Sequence, residues 1–164
     1  MSAMLDVLLY APEIPPNTGN IIRLCANAGA ELHLIEPLGF LLDDKRLRRA
    51  GLDYHEFAHL CVHPTLAAYL RRRPAVRLFA CSTRGTIRYD DASFAPGDAL
   101  MFGSESRGLP AQVFGAIPPD RRLYIPMRPG NRSLNLSNAV AIVLFEAWRQ
   151  LGFGGAAPPR SSPV

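Results

Sequence analysis

The sequence contains little cysteine, almost no lysine and no long apolar run. Its cysteines are three in number and are scattered through apolar surroundings, which argues against a disulfide framework and predicts buried thiols at Cys25, Cys61 and Cys81. The longest apolar run, Ala139 to Phe145, is much shorter than the roughly 18 residues that span a bilayer. No basic leader precedes an apolar stretch at the N-terminus. We therefore expect a cytoplasmic protein with no membrane partner.

The charge balance is basic and depends almost wholly on arginine. Seventeen arginines accompany a single lysine, Lys45, and the formal net charge is +4 with a pI near 9.3. Because a guanidinium matches the geometry of phosphate, this bias is compatible with a nucleic-acid partner. A preference for arginine also follows from genome composition, and a charge of +4 is modest. Charge alone therefore leaves nucleic-acid binding open.

The length and composition indicate one globular domain. The chain has 164 residues, of which 48% are hydrophobic. From Gly152 onward the sequence GFGGAAPPRSSPV has no apolar period. We expect one domain over residues 1–153 and a flexible tail over residues 154–164.

Three histidines recur at every fourth position, and this spacing raises the question of a metal site. They are His55, His59 and His63. However, the apolar Leu60–Val62 and the following Pro64 fit the end of a strand better than a helix. The three side chains would then not share one helical face, so no metal site is predicted.

Apolar strand-like and helix-like segments alternate along the whole chain. This order is typical of an α/β fold with a mostly parallel sheet and helices on both faces. Strands are predicted over residues 4–10, 31–37, 76–82, 98–103 and 122–127, and helices over residues 17–28, 65–73, 109–117 and 135–151. In such sheets ligands collect beyond the carboxyl ends of the strands, so the loops there are the candidate site.

The first two of these loops lack the common nucleotide-binding motifs. PEIPPNTG, after the first strand, has no G-x-G-x-x-G spacing, which disfavours an ordinary dinucleotide site. GSESRG, residues 103–108, has glycines at both ends but no G-K-[ST]. Its glycines either let the backbone approach a ligand closely or simply form a turn, and the sequence leaves both open.

The third loop leads into the longest apolar helix and is rich in small polar residues. Ser133, Asn135, Ser137 and Asn138 crowd the start of this helix. One N-cap needs only one such side chain, so the surplus favours a binding site for an anion such as phosphate or carboxylate. Plain N-capping remains the alternative interpretation.

The first helix carries a polar stripe on an otherwise apolar surface. Asn20, Arg23 and Asn27 are three and four residues apart and so share one face. Such an arginine either reaches solvent or lines a polar cavity or an interface. The stripe alone does not decide between these.

Three segments taken together are far more specific than any one of them. NTGNIIRLCANAG, LMFGSESRGLP and IPMRPGNRSLNLSNAVAIVLFEAWRQ, in this order and spacing, resemble the three motifs of the SPOUT class of methyltransferases. Residues 4 to about 153 are similar to the tRNA 2'-O-methyltransferases that modify the ribose of the wobble nucleotide, cytidine or uridine 34. The stretch DDKRLRRAGLDYHEF supports this closer match.

The resemblance implies a fold, a cofactor and an assembly. It implies an α/β sheet whose C-terminal segment forms a deep trefoil knot, a homodimer, and S-adenosylmethionine bound in the knotted loops without a metal. By position, the cofactor would be surrounded by Cys81, Gly103, Ile125 and Ser133, and further by Ser82, Thr83, Glu105, Gly108, Leu109, Met127, Leu134, Asn135 and Asn138. This chain departs from the family in having Leu134 where methionine is common and Cys81 in place of a leucine-like contact.

The resemblance also assigns catalytic and RNA-binding roles. Arg23 would act on the 2'-hydroxyl, with Asn20 and with Ser133 or Asn138 orienting it. Because arginine side chains stay protonated in proteins, we expect Arg23 to stabilise the developing alkoxide rather than to act as an ordinary base. The anticodon loop of tRNA would lie across the dimer, held by Arg46, Arg48, Arg49, Arg128 and Arg132.

Three other functions remain open at this point. The enzyme could methylate another tRNA or rRNA position, or the chain could be a non-catalytic RNA-binding protein on the same fold. A nucleotide-dependent oxidoreductase on a doubly wound sheet is the third, weakened by the missing glycine motif.

Overall fold

The structure, a computed structural model, describes residues 4–43, 45–48 and 54–161. Within these residues strands and helices alternate along the chain, with two short 3-10 segments at Tyr54–His59 and Pro119–Arg121. The strands are β1 (Asp6–Tyr10), β2 (Glu31–Ile35), β3 (Leu60–His63), β4 (Leu78–Cys81), β5 (Ile87–Arg88), β6 (Ala99–Phe102) and β7 (Arg122–Tyr124). The helices are α1 (Pro15–Ala28), α2 (Lys45–Arg48), α3 (Leu66–Arg72), α4 (Ala111–Gly115) and α5 (Leu136–Gln150).

The strands form one parallel sheet. Their order is β3-β2-β1-β6-β4-β7-β5, and each pairing between neighbours is parallel. Asp6, for example, lies opposite Glu31 on one side and Ala99 on the other. All the strands therefore end at the same edge, as the α/β prediction requires. The predicted α/β class with its mostly parallel sheet is confirmed.

Helices cover both faces of the sheet, because alternate side chains of each strand point to opposite sides. Leu9 packs in a core cluster with Ile21 of α1 and Val140 of α5. Leu8, its neighbour in β1, packs in a second cluster with Tyr69 of α3. Leu8, Leu9, Ile21, Val140 and Tyr69 are all completely buried. The sheet therefore lies between two apolar layers.

Helix α1 starts two residues before the predicted Asn17. Pro15 and Pro16 occupy its first turn, where the proline ring already has a helical φ and the missing N–H has no helical partner to lose. The loop predicted after the first strand, PEIPPNTG, is therefore shorter in the structure than expected. Gly29 ends the helix as predicted, with a left-handed φ of 71°.

All five predicted strands are two or three residues shorter in the structure, as β7 illustrates, and β5 is an additional strand. β7 ends at Tyr124, short of the predicted residue 127, and Pro126 in the remaining stretch has no N–H to donate to a ladder. β5 was not predicted at all, because its two residues are too few to show an alternating pattern. Both differences lie beside the candidate site, where the chain leaves the sheet.

Two further features of the fold are the character of its helices and the segment that follows α5. Among the described residues, no helix combines the length and the hydropathy that crossing a membrane requires. After α5 the chain turns back, and the indole of Trp148 donates a 3.0 Å hydrogen bond to the carbonyl of Gly154. Residues 154–161 are exposed. The domain boundary at residue 153 and the flexible tail stay predictions.

Candidate active site

A cavity of about 760 Å³ lies at the carboxyl ends of β4, β6 and β7. This volume falls within the range of small-molecule sites, roughly 300–1,000 Å³. Its walls are the loops that follow these three strands, together with the start of α5 and two residues at the start of α1, Ile14 and Asn17. The position agrees with the expectation that ligands of α/β sheets bind beyond the strand ends.

The residues predicted to contact the cofactor all lie in the wall of this cavity, apart from Asn138. They are Cys81, Ser82, Thr83, Gly103, Glu105, Gly108, Leu109, Ile125, Met127, Ser133, Leu134 and Asn135. They come from three loops that are far apart in sequence and meet because their strands end together. Their contact with a cofactor stays a prediction.

Gly103 allows the second loop to fold back on itself. A Cβ at this position would lie 2.2 Å from the carbonyl carbon of Gly108 and 2.3 Å from the amide nitrogen of Leu109. Gly108 has a φ of +65°, and its N–H donates to the carbonyl of Ser104 at 2.9 Å. Gly103 thus lets one part of the loop pass close to another part of the same loop. The loop is an ordered turn that holds the buried Leu109 in the cavity wall.

The second loop is also fastened to the loop after β1. The backbone N–H of Glu13 donates to Oε2 of Glu105 at 2.8 Å. In return, the hydroxyl of Ser106 donates to the carboxylate of Glu13 at 2.7 Å. This hydrogen bond is the main cause that lowers the pKa of Glu13. The two loops therefore support each other at one side of the cavity.

The third loop is joined to α1 through an asparagine pair. Asn135 is the N-cap of α5 and accepts from the backbone N–H of Ser137 at 2.9 Å. Its Nδ2 donates to Oδ1 of the buried Asn17 at 3.0 Å. One cap thus accounts for Asn135 and Ser137, whereas Ser133 lies exposed in the cavity wall and Asn138 lies exposed outside it.

Two side chains in the cavity wall, a carboxylate and a thiol, affect what the cavity can bind. Oε1 of Glu105 is buried and has no hydrogen-bond partner among the residues that the structure describes. A buried acceptor of this kind is costly unless a ligand supplies an N–H or O–H. Cys81 ends β4 in the wall, and burial raises the pKa of its thiol to about 12. This thiol stays protonated at neutral pH and acts as a small apolar group.

The structure places Asn20 and Arg23 outside the cavity of their own chain. Both are exposed on α1, together with Asn27, so the predicted stripe exists. Six residues separate Asn17, in the cavity wall, from Arg23, which corresponds to about 9 Å along a helix. Nε of Arg23 lies 3.7 Å from Oε1 of Glu56 in the first 3-10 segment. Sequence reasoning missed Glu56, because no local pattern links it to α1.

The arginines predicted to bind RNA are only partly described. Arg132 is exposed in the cavity wall, and Arg128 and Arg46 are exposed elsewhere. Arg48 belongs to α2, but its side chain and the whole of Arg49 fall outside the described residues. Two further arginines of the cavity wall were not predicted, Arg84 and Arg107.

A second polar cluster lies inside the protein, away from the cavity. Asp6, only 2% exposed, accepts a 2.8 Å hydrogen bond from the hydroxyl of Tyr69 and a 3.3 Å bond from Arg73. Nδ1 of His33 and Nε2 of His63 are 2.9 Å apart. Burial is the main cause that lowers the pKa of His63 and raises that of Tyr69. The only sequence signal was the presence of polar residues at alternate positions of apolar strands.

Part of this cluster also contains potential metal ligands. Ligand atoms of Glu31, His33 and Cys61 lie within 4.8 Å of one another. The thiol of Cys61 donates to Glu31 at 3.3 Å, and Arg73 lies 3.5 Å from the same carboxylate. His63 belongs to this region, whereas His55 and His59 are exposed in the 3-10 segment. The regular spacing of the three histidines in the sequence thus does not bring their side chains together in the structure.

Comparison with known proteins identifies the family. The profile of the SpoU rRNA Methylase family matches residues 4–145, which include all three loops of the cavity. The chain belongs to the SpoU methylase family. This finding confirms the family resemblance that the three sequence motifs indicated.

Close relatives within the SpoU family match the chain almost from end to end. The tRNA (cytidine(34)-2'-O)-methyltransferase of Burkholderia ambifaria is 62% identical over 157 residues, covering 94% of this chain and 100% of the relative. The enzyme of the same name from Escherichia coli K12 is 59% identical and covers 93% of this chain and 98% of the relative.

Solved SpoU-type structures resemble the fold as well. One, described as "Structural insights into the 2-OH methylation of C/U34 on tRNA", has a TM-score of 0.85 and 48% identity, covering 92% of this chain and 97% of its own. Another is the SpoU methyltransferase AviRb of Streptomyces viridochromogenes in complex with the cofactor AdoMet. It has a TM-score of 0.77 and 26% identity, covering 96% of this chain and 60% of its own.

Proposed function

We propose that this chain transfers a methyl group from S-adenosylmethionine to the ribose 2'-hydroxyl of nucleotide 34, cytidine or uridine, in tRNA. One observation carries the proposal. Relatives named for this reaction match the chain over nearly its full length at about 60% identity, and the match includes every loop of the cavity.

The cavity fits the methyl donor. Its apolar walls include Leu109 and Ile125, which suit an uncharged adenine between them. The unpartnered oxygen of Glu105 suits a donor group of the ligand. S-adenosylmethionine supplies a methyl group already activated by its sulfonium. The protein then has to orient the acceptor and ease the loss of its proton.

Arg23 is the group proposed to ease that proton loss. Because a guanidinium keeps its proton, it favours the alkoxide by charge and by hydrogen bonds rather than by removing the proton. The same fork is suited to the neighbouring phosphate. Asn20 and Ser133 or Asn138 would orient the hydroxyl.

The position of Arg23 supports a homodimer. Arg23 is exposed and lies outside the cavity of its own chain, as do Asn20 and Asn138. A second copy that packs against the polar stripe of α1 would bring each Arg23 towards the partner's cavity. The active site would then be complete only in the dimer, and the tRNA would lie across both chains.

The path of the chain around β7 supports the deep trefoil knot. β7 lies between β4 and β5, although the latter two are joined by the short link of residues 82–86. This link crosses β7 closely. Ser82 donates to the carbonyl of Leu123 at 2.9 Å, and a Cβ on Gly85 would meet that same carbonyl. The chain that leaves β7 towards α5 must therefore pass this crossing link.

Exposed arginines, one of them in the cavity wall, support an RNA partner. Arg128 and Arg132 belong to the third loop, and Arg46 lies at the start of α2. Guanidinium groups at these positions would neutralise phosphates of the anticodon stem and loop. We extend the same role to Arg48 and Arg49.

The decisive experiment incubates purified protein with tRNA and methyl-labelled S-adenosylmethionine, and identifies the labelled nucleoside by mass spectrometry. We expect a 2'-O-methylated nucleotide at position 34. A labelled nucleoside at another position would mean that the enzyme catalyses 2'-O-methylation but that its substrate nucleotide is not nucleotide 34. Retention of tRNA without label would indicate a non-catalytic RNA-binding protein, and binding of NAD would indicate an oxidoreductase.

The Arg23→Ala variant tests the proposed mechanism. We expect turnover to fall by about two to three orders of magnitude, as when a transition-state hydrogen-bond donor is removed. The affinity for S-adenosylmethionine should stay within about twofold, because the proposed role of Arg23 is to act on the ribose hydroxyl and not to hold the methyl donor. Wild-type turnover at saturating tRNA would exclude this role.

A further inference from the structure

Glu56 joins the 3-10 segment Tyr54–His59 to the exposed stripe of α1. The segment packs against α1, and Oε1 of Glu56 lies 3.7 Å from Nε of Arg23. The two side chains differ sharply in exposure, 12% for Glu56 and 44% for Arg23. The carboxylate is therefore mostly buried, whereas the arginine is about half exposed.

Stability does not explain the burial of Glu56. Its Oε2 is buried and has no hydrogen-bond partner in the part of the chain that the structure describes. Burying a carboxylate with an unused oxygen costs stability, and an ion pair with a half-exposed arginine returns little of it. An apolar residue of similar size would serve a purely structural role at least as well.

The geometry of the contact suits a role in orienting Arg23. The carboxylate lies beside Nε, at the base of the guanidinium. The terminal nitrogens lie at the far end of the fork, which is the part that binds phosphates and oxyanions in a bidentate way. An arginine has several rotatable bonds, and holding its Nε reduces the conformational entropy it loses when the substrate arrives.

We propose that Glu56 is a positioning residue that holds the guanidinium of Arg23 in the orientation that meets the reacting ribose. The proposal rests on the proposed function, since it concerns the role of Arg23 in that reaction. Glu56 does not touch the substrate and acts only through Arg23.

Two effects of the carboxylate oppose each other. It orients the guanidinium, which raises turnover, and its negative charge weakens the field that stabilises an alkoxide, which lowers turnover. At a half-exposed site the second effect is screened by water. Misplacement of a catalytic group by about 1 Å, in contrast, costs up to about a hundredfold in rate. We therefore expect orientation to dominate.

The test compares two matched substitutions in the full chain. Glu56→Gln keeps the shape and removes the charge, and we expect kcat to fall about tenfold while the KM for tRNA and the affinity for S-adenosylmethionine stay within about twofold. Glu146→Gln is the control. Glu146 is also 12% exposed and pairs with an exposed arginine, Arg149, at 2.8 Å. This control should keep the kcat of the wild type.

A double-mutant cycle shows whether Glu56 acts through Arg23. In an Arg23→Lys background there is no Nε to hold, so adding Glu56→Gln should lower single-turnover methylation by less than about twofold. An equal loss in both backgrounds would overturn the proposal. So would a Glu56→Gln variant with unchanged or raised kcat, or one that loses cofactor affinity and thermal stability in parallel with its activity.

The failure of this proposal can be told apart from failure of the proposed function. If the wild type does not methylate nucleotide 34, both fall. If the wild type is active and Arg23→Lys is impaired, but Glu56→Gln turns over normally, only the positioning role of Glu56 falls.

Discussion

The protein contains two polar clusters of opposite character, and the contrast between them separates a site from a structural network. In the cavity at the ends of β4, β6 and β7, Oε1 of Glu105 is buried and has no hydrogen-bond partner among the residues that the structure describes. In the cluster around Asp6 the polar groups face one another: Tyr69 and Arg73 donate to Asp6, and Nε2 of His33, which makes no hydrogen bond within the described residues, lies 3.4 Å from Oδ2 of Asp6. Buried titratable groups therefore do not by themselves mark an active site.

The physical difference lies in what completes each cluster. In the Asp6 cluster the protein itself supplies nearly all the charge and hydrogen bonds, so its loss should affect folding. In the cavity we propose that a ligand supplies them, so changes there should affect binding and turnover. The predictions below test this division, in order of decreasing effect.

The largest expected effect concerns the thiol of Cys81 in the cavity wall. With its pKa raised to about 12, against 9.0 for an unperturbed thiol, the native thiolate at pH 8 should be roughly a thousandfold scarcer than in the unfolded chain. We expect iodoacetamide to label Cys81 correspondingly slowly until denaturant is added, as followed by peptide mass spectrometry. The same shift predicts that stability falls as the pH rises from about 9 towards 12, because only the unfolded thiol releases its proton there.

Rapid labelling of native Cys81 at pH 8 would contradict the raised pKa of its thiol. Cys61, in the other cluster, provides a comparison, because burial and the bond to Glu31 also raise the pKa of its thiol. Both thiols should be protected in the native state.

Asp6→Ala should mainly lower stability. Removing the carboxylate leaves Tyr69 and Arg73 without their common acceptor, and we expect the free energy of unfolding in urea to fall by about 3 kcal/mol. The affinity for S-adenosylmethionine of the folded fraction should not change. Asp90→Ala, which removes an exposed carboxylate paired with Arg88, should leave stability unaltered.

Gly103→Ala should mainly damage the cavity. The added Cβ would collide with the backbone of Gly108, so the second loop must move. We expect the affinity for S-adenosylmethionine in calorimetric titration to fall about a hundredfold, or about 2.7 kcal/mol. Gly115→Ala is the matched control, because a Cβ there meets open space. If the two substitutions lowered the affinity for S-adenosylmethionine equally, the loss could not be assigned to the collision at Gly103.

The smallest expected effect is on the salt dependence of tRNA binding. Arg132→Ala removes a guanidinium from the cavity wall, and the slope of log affinity against log salt should become shallower by about 0.7 to 0.9. Arg71→Ala, on the exposed surface of α3, should leave the slope as it was. A salt-insensitive affinity of the wild type would exclude phosphate contacts altogether.

Much of this site could be predicted, for two reasons. Parallel strands end together, and the loops after β6 and β7 lie in motifs that the family resemblance identified, which also assigned Cys81 by position. Cys81, Gly103 and Ile125 were therefore predicted in one place, and the cavity brings them there. Their cofactor contacts and the role of Arg23 remain predictions.

The parts that could not be predicted depend on side-chain contacts between distant segments. Nothing local to Glu56 indicates that it lies against Arg23. Asp6 belongs to β1 and His33 to β2, both mainly apolar strands, and only the register of the sheet brings the two side chains together. β5 is too short for its alternation to be seen.

The most direct test of the central claim is a crystal structure of the protein with S-adenosylmethionine bound. We predict that the donor lies in the cavity between Gly103, Leu109, Ile125 and Leu134, and that the guanidinium of Arg23 from one protomer points towards a sulfonium in the assembly. A donor bound elsewhere, or an Arg23 that points away from every sulfonium, would contradict the account.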